Sequence, residues 1–189
     1  LEIVEGDVLK LNLQEIIKEK LGNMDSVKVC ANLPYYITSP VIMCLLEQNL
    51  PIDEIIVMVQ KEAAERLTAE IGSRESGAVT VAVNYYAEAE MLFEVKKTSF
   101  CPAPKVDSAV IRLKARKKPA VKIANEQHFF KIVKAAFSQR RKTAINCLSN
   151  GLGIPKAEIG KALNTIGKNE KSRAENFTME EFARLSELL

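Results

Sequence analysis

Glu54–Gln60 reads Glu-Ile-Ile-Val-Met-Val-Gln, with five apolar residues in succession. So short a run, lacking polar alternation, predicts a strand covered on both faces of a sheet. It leads directly into a helical period over about 61–71, with Ala63, Ala64 and Leu67 facing inward. Upstream, Val27–Ala31 predicts a second strand, stopped by Asn32-Leu33-Pro34. Pro40 then opens an apolar run, Val41–Leu46, that reads as a helix with proline at its start. Leu1–Glu5 alternates, is rich in β-formers and predicts a further strand ending at Gly6-Asp7. A short helix over about 12–21 follows, with Leu13, Ile16, Ile17 and Leu21 on one face.

Downstream, Gly72–Gly77 is a loop, and a helix is predicted over about 78–86. Glu90–Lys96 and Ser108–Lys114 alternate and suggest two antiparallel strands joined by the proline-containing loop 99–107. Strands and helices that alternate and then close in a β-pair predict a three-layer α/β sandwich. Ala115–Lys122 is basic, contains Pro119 and reads as a linker. Beyond it the period is helical throughout. Asn125 is placed to cap a helix to about 137, and a second covers about 141–149 and stops at Asn150-Gly151. Pro155 opens a third helix, and Thr178-Met-Glu-Glu181 is a capping box for the last. The expected boundary between an α/β domain and a small all-α domain falls near residue 120.

An apolar fraction of 47% in 189 residues supports a packed core and argues against disorder. No apolar run approaches the length of a membrane span. Cys30, Cys44, Cys101 and Cys147 are far apart with no C-x-x-C pair, which argues against zinc or a disulfide framework. Reduced thiols in a cytoplasmic protein are expected.

The net charge of +3 conceals a strong asymmetry. Residues 1–95 carry 7 Lys/Arg against 16 Asp/Glu, whereas residues 96–142 carry 14 against 2. A segment with so few carboxylates cannot neutralise itself locally, and nucleic acid is its first candidate partner. A solvated basic face is the plainer alternative.

The sharpest chemical signal is Asn32-Leu33-Pro34-Tyr35 at the C-terminal end of a predicted strand, where open α/β sheets bind their ligands. An exocyclic adenine N6 is a poor nucleophile because its lone pair is delocalised into the ring. The Asn32 side-chain oxygen and the Leu33 carbonyl can hold its two hydrogens and turn that lone pair toward a methyl donor. Pro34 would fix the turn, and Tyr35 would stack on the base. No strong general base is needed, so catalysis would come from positioning and charge stabilisation. The alternative is a strand-to-helix turn built from common turn residues.

Three separated stretches, Asn32–Pro40 (NLPYYITSP), Phe100–Val110 (FCPAPKVDSAV) and Phe137–Thr143 (FSQRRKT), resemble one family in the right order. This is the kasugamycin-resistance type, which dimethylates N6 of two adjacent adenines in a hairpin loop near the 3′ end of small-subunit ribosomal RNA. The likeness runs from Gly6-Asp7 to the C-terminus. Large-subunit methyltransferases of the macrolide-resistance type are close relatives, but Leu33 and Pro-x-Pro-Lys-Val-Asp-Ser-Ala favour the small-subunit branch. The resemblance implies S-adenosylmethionine as cofactor and the immature small ribosomal subunit as partner, with no metal, no membrane and a monomeric state.

Residue by residue, Asp7 matches the aspartate that hydrogen-bonds the cofactor's adenine, and Asn32 the residue touching both cofactor and target base. Phe100 matches the aromatic on the other face of the flipped adenine, opposite Tyr35. A local turn for Asp7 and a core position for Phe100 are the plainer alternatives. Lys105 is placed to meet a phosphate, and Arg140-Arg141-Lys142 suit a phosphate track. Gln60-Lys61-Glu62 reads as support for the slot, and His128, beside Phe129, as a packing or surface residue.

The family begins with a strand, a glycine-rich loop and an acidic residue for the ribose, and none of these is found here. The sequence has 8 glycines and no G-x-G-x-G run. The expected fold is therefore an incomplete Rossmann-like methyltransferase sandwich. Residues 1–120 would be the C-terminal part of the methyltransferase domain and residues 121–189 a small helical RNA-binding domain. The chain as it stands is expected to bind the cofactor poorly and to be inactive. The rivals are a non-catalytic RNA-binding or ribosome-assembly factor, a large-subunit RNA methyltransferase and, more weakly, a DNA amino-methyltransferase.

Overall fold

The computed structural model describes all of residues 1–189. In chain order its elements are α1 (Leu13–Leu21), β1 (Lys28–Asn32), α2 (Thr38–Glu47), β2 (Glu54–Gln60), α3 (Lys61–Leu67), α4 (Ala78–Tyr86), β3 (Ala87–Val95) and β4 (Ser108–Ala115). The helices α5 (Glu126–Ala136), α6 (Ala144–Leu152), α7 (Lys156–Thr165) and α8 (Met179–Leu188) follow. The chain forms two compact units, one of Leu1–Thr68 with Tyr86–Lys118, the other of Ala69–Tyr85 with Pro119–Leu189.

The first unit is built on a four-stranded mixed sheet of order β1-β2-β4-β3. β1 and β2 are parallel, with Asn32 opposite Met58, and β4 runs antiparallel to both β2 and β3. The register sets Ile55, Val57 and Val59 opposite Leu113, Ile111 and Ala109. All six are at most 1% exposed and form the sheet's dry face. Each large aliphatic side chain buried there contributes about 1.5–3 kcal/mol. The other face of β2, carrying Ile56 and Met58, is only half-covered, so the strand is not buried on both sides as its composition suggests. β3 carries an irregularity between Met91 and Phe93 where it pairs with β4, which breaks the alternation of its side chains.

Leu1–Glu5 forms no strand. Alternation produces a strand only where a neighbour offers a ladder of hydrogen bonds. β1 is an edge of the sheet and pairs with β2 alone. The segment instead runs exposed, with the Glu2 carboxylate 2.6 Å from Lys20 Nζ of α1.

The second unit is helical. Asn125 caps α5 by accepting from the His128 amide, and Thr178 and Glu181 complete the capping box of α8. Phe129, Phe177 and Phe182 are fully buried in it. α4, which the sequence places with the α/β part, belongs to this unit through Tyr85. The Tyr85 ring lies 5.6 Å from that of Phe129 and 5.4 Å from that of Phe130, and its hydroxyl donates to Glu126 at 3.3 Å. α6 does not stop at Asn150-Gly151 but continues to Leu152, ending on Gly153 in the left-handed region at φ +72°. No helix is long and apolar enough to cross a membrane.

Candidate active site

β1 ends on Asn32, and the ladder extends one residue further, with the Leu33 amide donating to the Met58 carbonyl at 3.3 Å. The chain then turns. Pro34 has φ −58°, and its carbonyl accepts from the Ile37 amide at 3.1 Å, closing a single 3-10 turn over Tyr35–Ile37. The Leu33 side chain is buried beneath this turn, which leaves Asn32 and Tyr35 at the surface. The Tyr35 hydroxyl lies 2.9 Å from Ser108 Oγ, at the first residue of β4.

The loop between β3 and β4 supplies the opposite wall. The Asp107 carboxylate accepts from the Lys97 amide at 2.9 Å and from Lys96 Nζ at 3.3 Å, and the Asp107 carbonyl accepts from the Lys61 amide at 3.0 Å. These bonds fix both ends of the segment carrying Phe100 and the two prolines of the loop, Pro102 and Pro104. The result is a cavity of about 300 Å³ lined by Asn32, Leu33, Pro34, Tyr35, Met58, Phe100, Pro102 and Pro104. That is at the small end of ligand pockets, about 300–1,000 Å³, and suits one flat group. Its walls hold two aromatic rings, one amide side chain and no carboxylate, ammonium or imidazole. Such a lining stacks and hydrogen-bonds a planar ligand but offers no strong base.

All five residues read from the sequence as the reacting centre, Asn32, Leu33, Pro34, Tyr35 and Phe100, line this one cavity. Pro102, Pro104 and the anchor Ser108 lie in the stretch that carries the family resemblance but were given no role of their own, and Met58 had no signal at all. Met58 is there because it is the register partner of Asn32, and a sequence does not state its strand register.

The other candidates lie elsewhere. Asp7 is not in the lining. Its Oδ1 accepts from the Leu9 amide at 3.1 Å and its Oδ2 lies 3.5 Å from Lys10 Nζ, the arrangement of a local turn. Lys105 lines a separate cavity with Lys61 and Lys97. Arg140, Arg141 and Lys142 belong to the second unit, exposed in the turn between α5 and α6. Arg140 there donates to the Arg74 carbonyl at 3.1 Å. Lys61 pairs with Glu94 at 2.7 Å, which raises the Lys61 pKa and lowers that of Glu94. A cavity of about 750 Å³ lies beside α1, lined by Val27, Asp53 and Lys114 among others. It opens at the amino ends of β1 and β2, the end of a parallel pair that rarely binds ligand.

Residues 1–189 match the sequence profile of the family described as ribosomal RNA adenine dimethylase. A protein of Anoxybacillus flavithermus called ribosomal RNA small subunit methyltransferase A is 48% identical over 99% of this chain and 64% of its own length. A Bacillus pumilus protein of the same name is 47% identical over 99% of this chain and 65% of its own length. The chain thus spans just under two thirds of these relatives. Among solved structures, a dimethyladenosine transferase from Plasmodium falciparum superposes with TM-score 0.75 at 25% identity, covering 97% of this chain and 70% of that one. The 23S rRNA methyltransferase ErmE shares the fold, with TM-score 0.61 at 24% identity over 96% of this chain and 79% of that one. With its whole length matched, the chain belongs to the ribosomal RNA adenine dimethylase family.

Proposed function

We propose that the protein dimethylates N6 of two adjacent adenines in a hairpin loop near the 3′ end of small-subunit ribosomal RNA, using S-adenosylmethionine, during ribosome biogenesis. One observation carries this reading: a single base-sized cavity at the carboxyl end of β1 gathers Asn32, Leu33, Tyr35 and Phe100. The Asn32 amide oxygen and the Leu33 carbonyl would accept from the adenine N6 hydrogens. Tyr35 and Phe100 would hold the ring plane between them, as enzymes do with a base taken out of its stack. Alkylation of so weak a nucleophile gains most from orientation and from acceptors that stabilise the positive charge developing on nitrogen. Each transfer leaves a cationic nitrogen that is strongly acidic and loses its proton to water. The base that returns therefore carries one methyl and no new charge, and a slot without a charged side chain serves both methylations.

S-adenosylmethionine would supply the methyl group as a sulfonium. The residues present do not complete its site. The slot holds one base and not base plus cofactor, and Asp7 is engaged in its own turn. We infer that residues 1–189 alone bind the cofactor weakly and transfer no methyl. Titration calorimetry giving micromolar affinity for these residues would overturn that. The basic turn Arg140–Lys142 would contact RNA phosphates.

Tritium transfer from labelled S-adenosylmethionine to undermethylated small subunits tests the main reading in the full-length protein. Asn32→Ala is expected to abolish transfer while lowering RNA affinity by no more than the loss of one hydrogen bond, about tenfold or less. The disposition of Asp7 favours one rival, a non-catalytic ribosome-assembly factor using the same surface. For that rival, the wild-type protein would bind small subunits and transfer no label.

A further inference from the structure

The loop that closes the base slot has a second side. Phe100, Pro102 and Pro104 line the slot, while Lys97, Lys105, Val106 and Asp107 line a neighbouring cavity of about 350 Å³ with Lys61, Glu62 and Glu65. Pro104 and Lys105 are consecutive, so the two cavities stand about 3.8 Å apart at the Cα positions that divide them. Ion pairing in the second cavity is uneven. Lys61 is taken by Glu94 at 2.7 Å, and Lys96 bridges Glu94 at 3.5 Å and Asp107 at 3.3 Å. Glu62 is taken by Arg66 at 2.6 Å. Lys97 and Lys105 have no carboxylate within ion-pair distance, and of the acids only Glu65 has no cation. Two uncommitted ammonium groups therefore face one uncommitted carboxylate.

The Lys97 main chain is also fixed, since its amide donates to the Asp107 carboxylate at 2.9 Å. That bond holds the lone carboxylate of the loop on the backbone, where it feels the Lys97 charge but lies outside ion-pair distance of either lysine head. We propose that Lys97 and Lys105 together seat a backbone phosphate of the nucleotide next to the target base. This rests on the reading of the slot as an adenine site. A base held between Tyr35 and Phe100 brings its own sugar-phosphate along, and a cationic seat one residue from the slot wall fixes where that strand runs. Phosphate contacts set register, so the seat would choose which adenine enters.

The test is binding of a synthetic RNA hairpin with two adjacent loop adenines to the full-length protein over a range of salt. The double variant Lys97→Gln/Lys105→Gln is expected to weaken binding about tenfold and to reduce the slope of log Kd against log salt by roughly 0.7, the loss of one single-strand phosphate contact. Glu65→Gln is expected to tighten binding severalfold. A hairpin with one neutral methylphosphonate beside the target adenine should bind the double variant and the wild type equally. An unchanged affinity and slope in the double variant, or no gain in Glu65→Gln, would overturn the seat, even if tritium transfer by the wild type upheld the enzyme. Phosphate-dependent binding by a protein that transfers no label would uphold the seat and sink the enzyme. All three side chains are exposed, so circular dichroism should show the variants folded.

Discussion

The Tyr35 hydroxyl and Ser108 Oγ lie 2.9 Å apart, joining the turn after β1 to the first residue of β4 across 73 positions of sequence. Ser108 is fully buried and Tyr35 about one-third exposed, so a fixed core group orients a ring at the mouth of the slot. Stacking needs the ring plane held, and one hydrogen bond at the far end of the ring restricts its rotation about both side-chain torsions.

Ser108→Ala removes that tether. The phenol can still reach water, so the cost in stability is that of one ordinary hydrogen bond, about 0.5–1.5 kcal/mol. If the slot holds the target base as proposed, methyl transfer by the full-length protein should fall by more than the stability loss explains, with RNA affinity little changed. Tyr35→Phe should match it, and the double variant should be no worse than either single one, because the two side chains act through one bond. Additive losses in single-turnover transfer would show that the bond orients nothing.

Asp107 holds the opposite wall. Its carboxyl is kept below the usual 3.8, first by the Lys97 amide and then by Lys96. A depressed carboxyl pKa stabilises the folded loop at pH values above the ordinary one, and the stabilisation is lost as pH falls through the depressed value. Protection of the Lys97 amide from hydrogen exchange should thus decline below about pH 4. Asp107→Ala should remove that protection at neutral pH and, in the full-length protein, lower transfer through a mobile Phe100. Protection that ignores pH down to unfolding would refute the anchoring.

Tyr85 sets a limit at the alkaline end. Burial, followed by the nearby Glu126 carboxylate, pushes its phenol from 10 up to about 12. The neutral phenol is the form the fold favours, so this contribution is intact below pH 10 and is lost as pH rises toward 12. Urea unfolding of the helical unit should weaken over that window. Tyr85→Phe should flatten the dependence while keeping the ring contacts with Phe129 and Phe130. An identical alkaline slope in the variant would assign the effect to another group.

Local signals carried far. The strand β2, the Asn125 cap and the Thr178–Glu181 box each depend on residues within one turn or one strand, and each forms where the sequence predicts, although only one face of β2 is fully covered. Asn32 and Tyr35 were legible from a strand end and a turn, whereas Phe100 was marked only by the family resemblance of its loop. What stayed hidden needed a partner. Leu1–Glu5 has the composition of a strand and no ladder to join. The allegiance of α4 is decided by Tyr85 meeting rings more than 40 positions away. Met58 and Ser108 enter the site through strand register and a long-range hydrogen bond, and neither leaves a pattern in composition.

Gly151 shows how packing overrides a local signal. Read along the chain, Asn150-Gly151 is a helix stop, yet Gly151 lies inside α6. A Cβ placed there would stand 2.8 Å from the Ala135 Cβ and 3.2 Å from its Cα on α5. Helix propensity alone favours Gly151→Ala by about 1 kcal/mol. Overpacking opposes it by about 1–3 kcal/mol, and here the obstructing atoms are backbone and Cβ, which cannot swing aside as a long side chain would. Packing should win, with a net loss of up to about 2 kcal/mol in urea unfolding. The turn joining α5 to α6 carries Arg140–Lys142, so forcing the helices apart should also weaken RNA binding. Gly151→Ala with Ala135→Gly should restore much of that binding by reopening the clearance. A stabilised Gly151→Ala would mean that the two helices cross with room to spare.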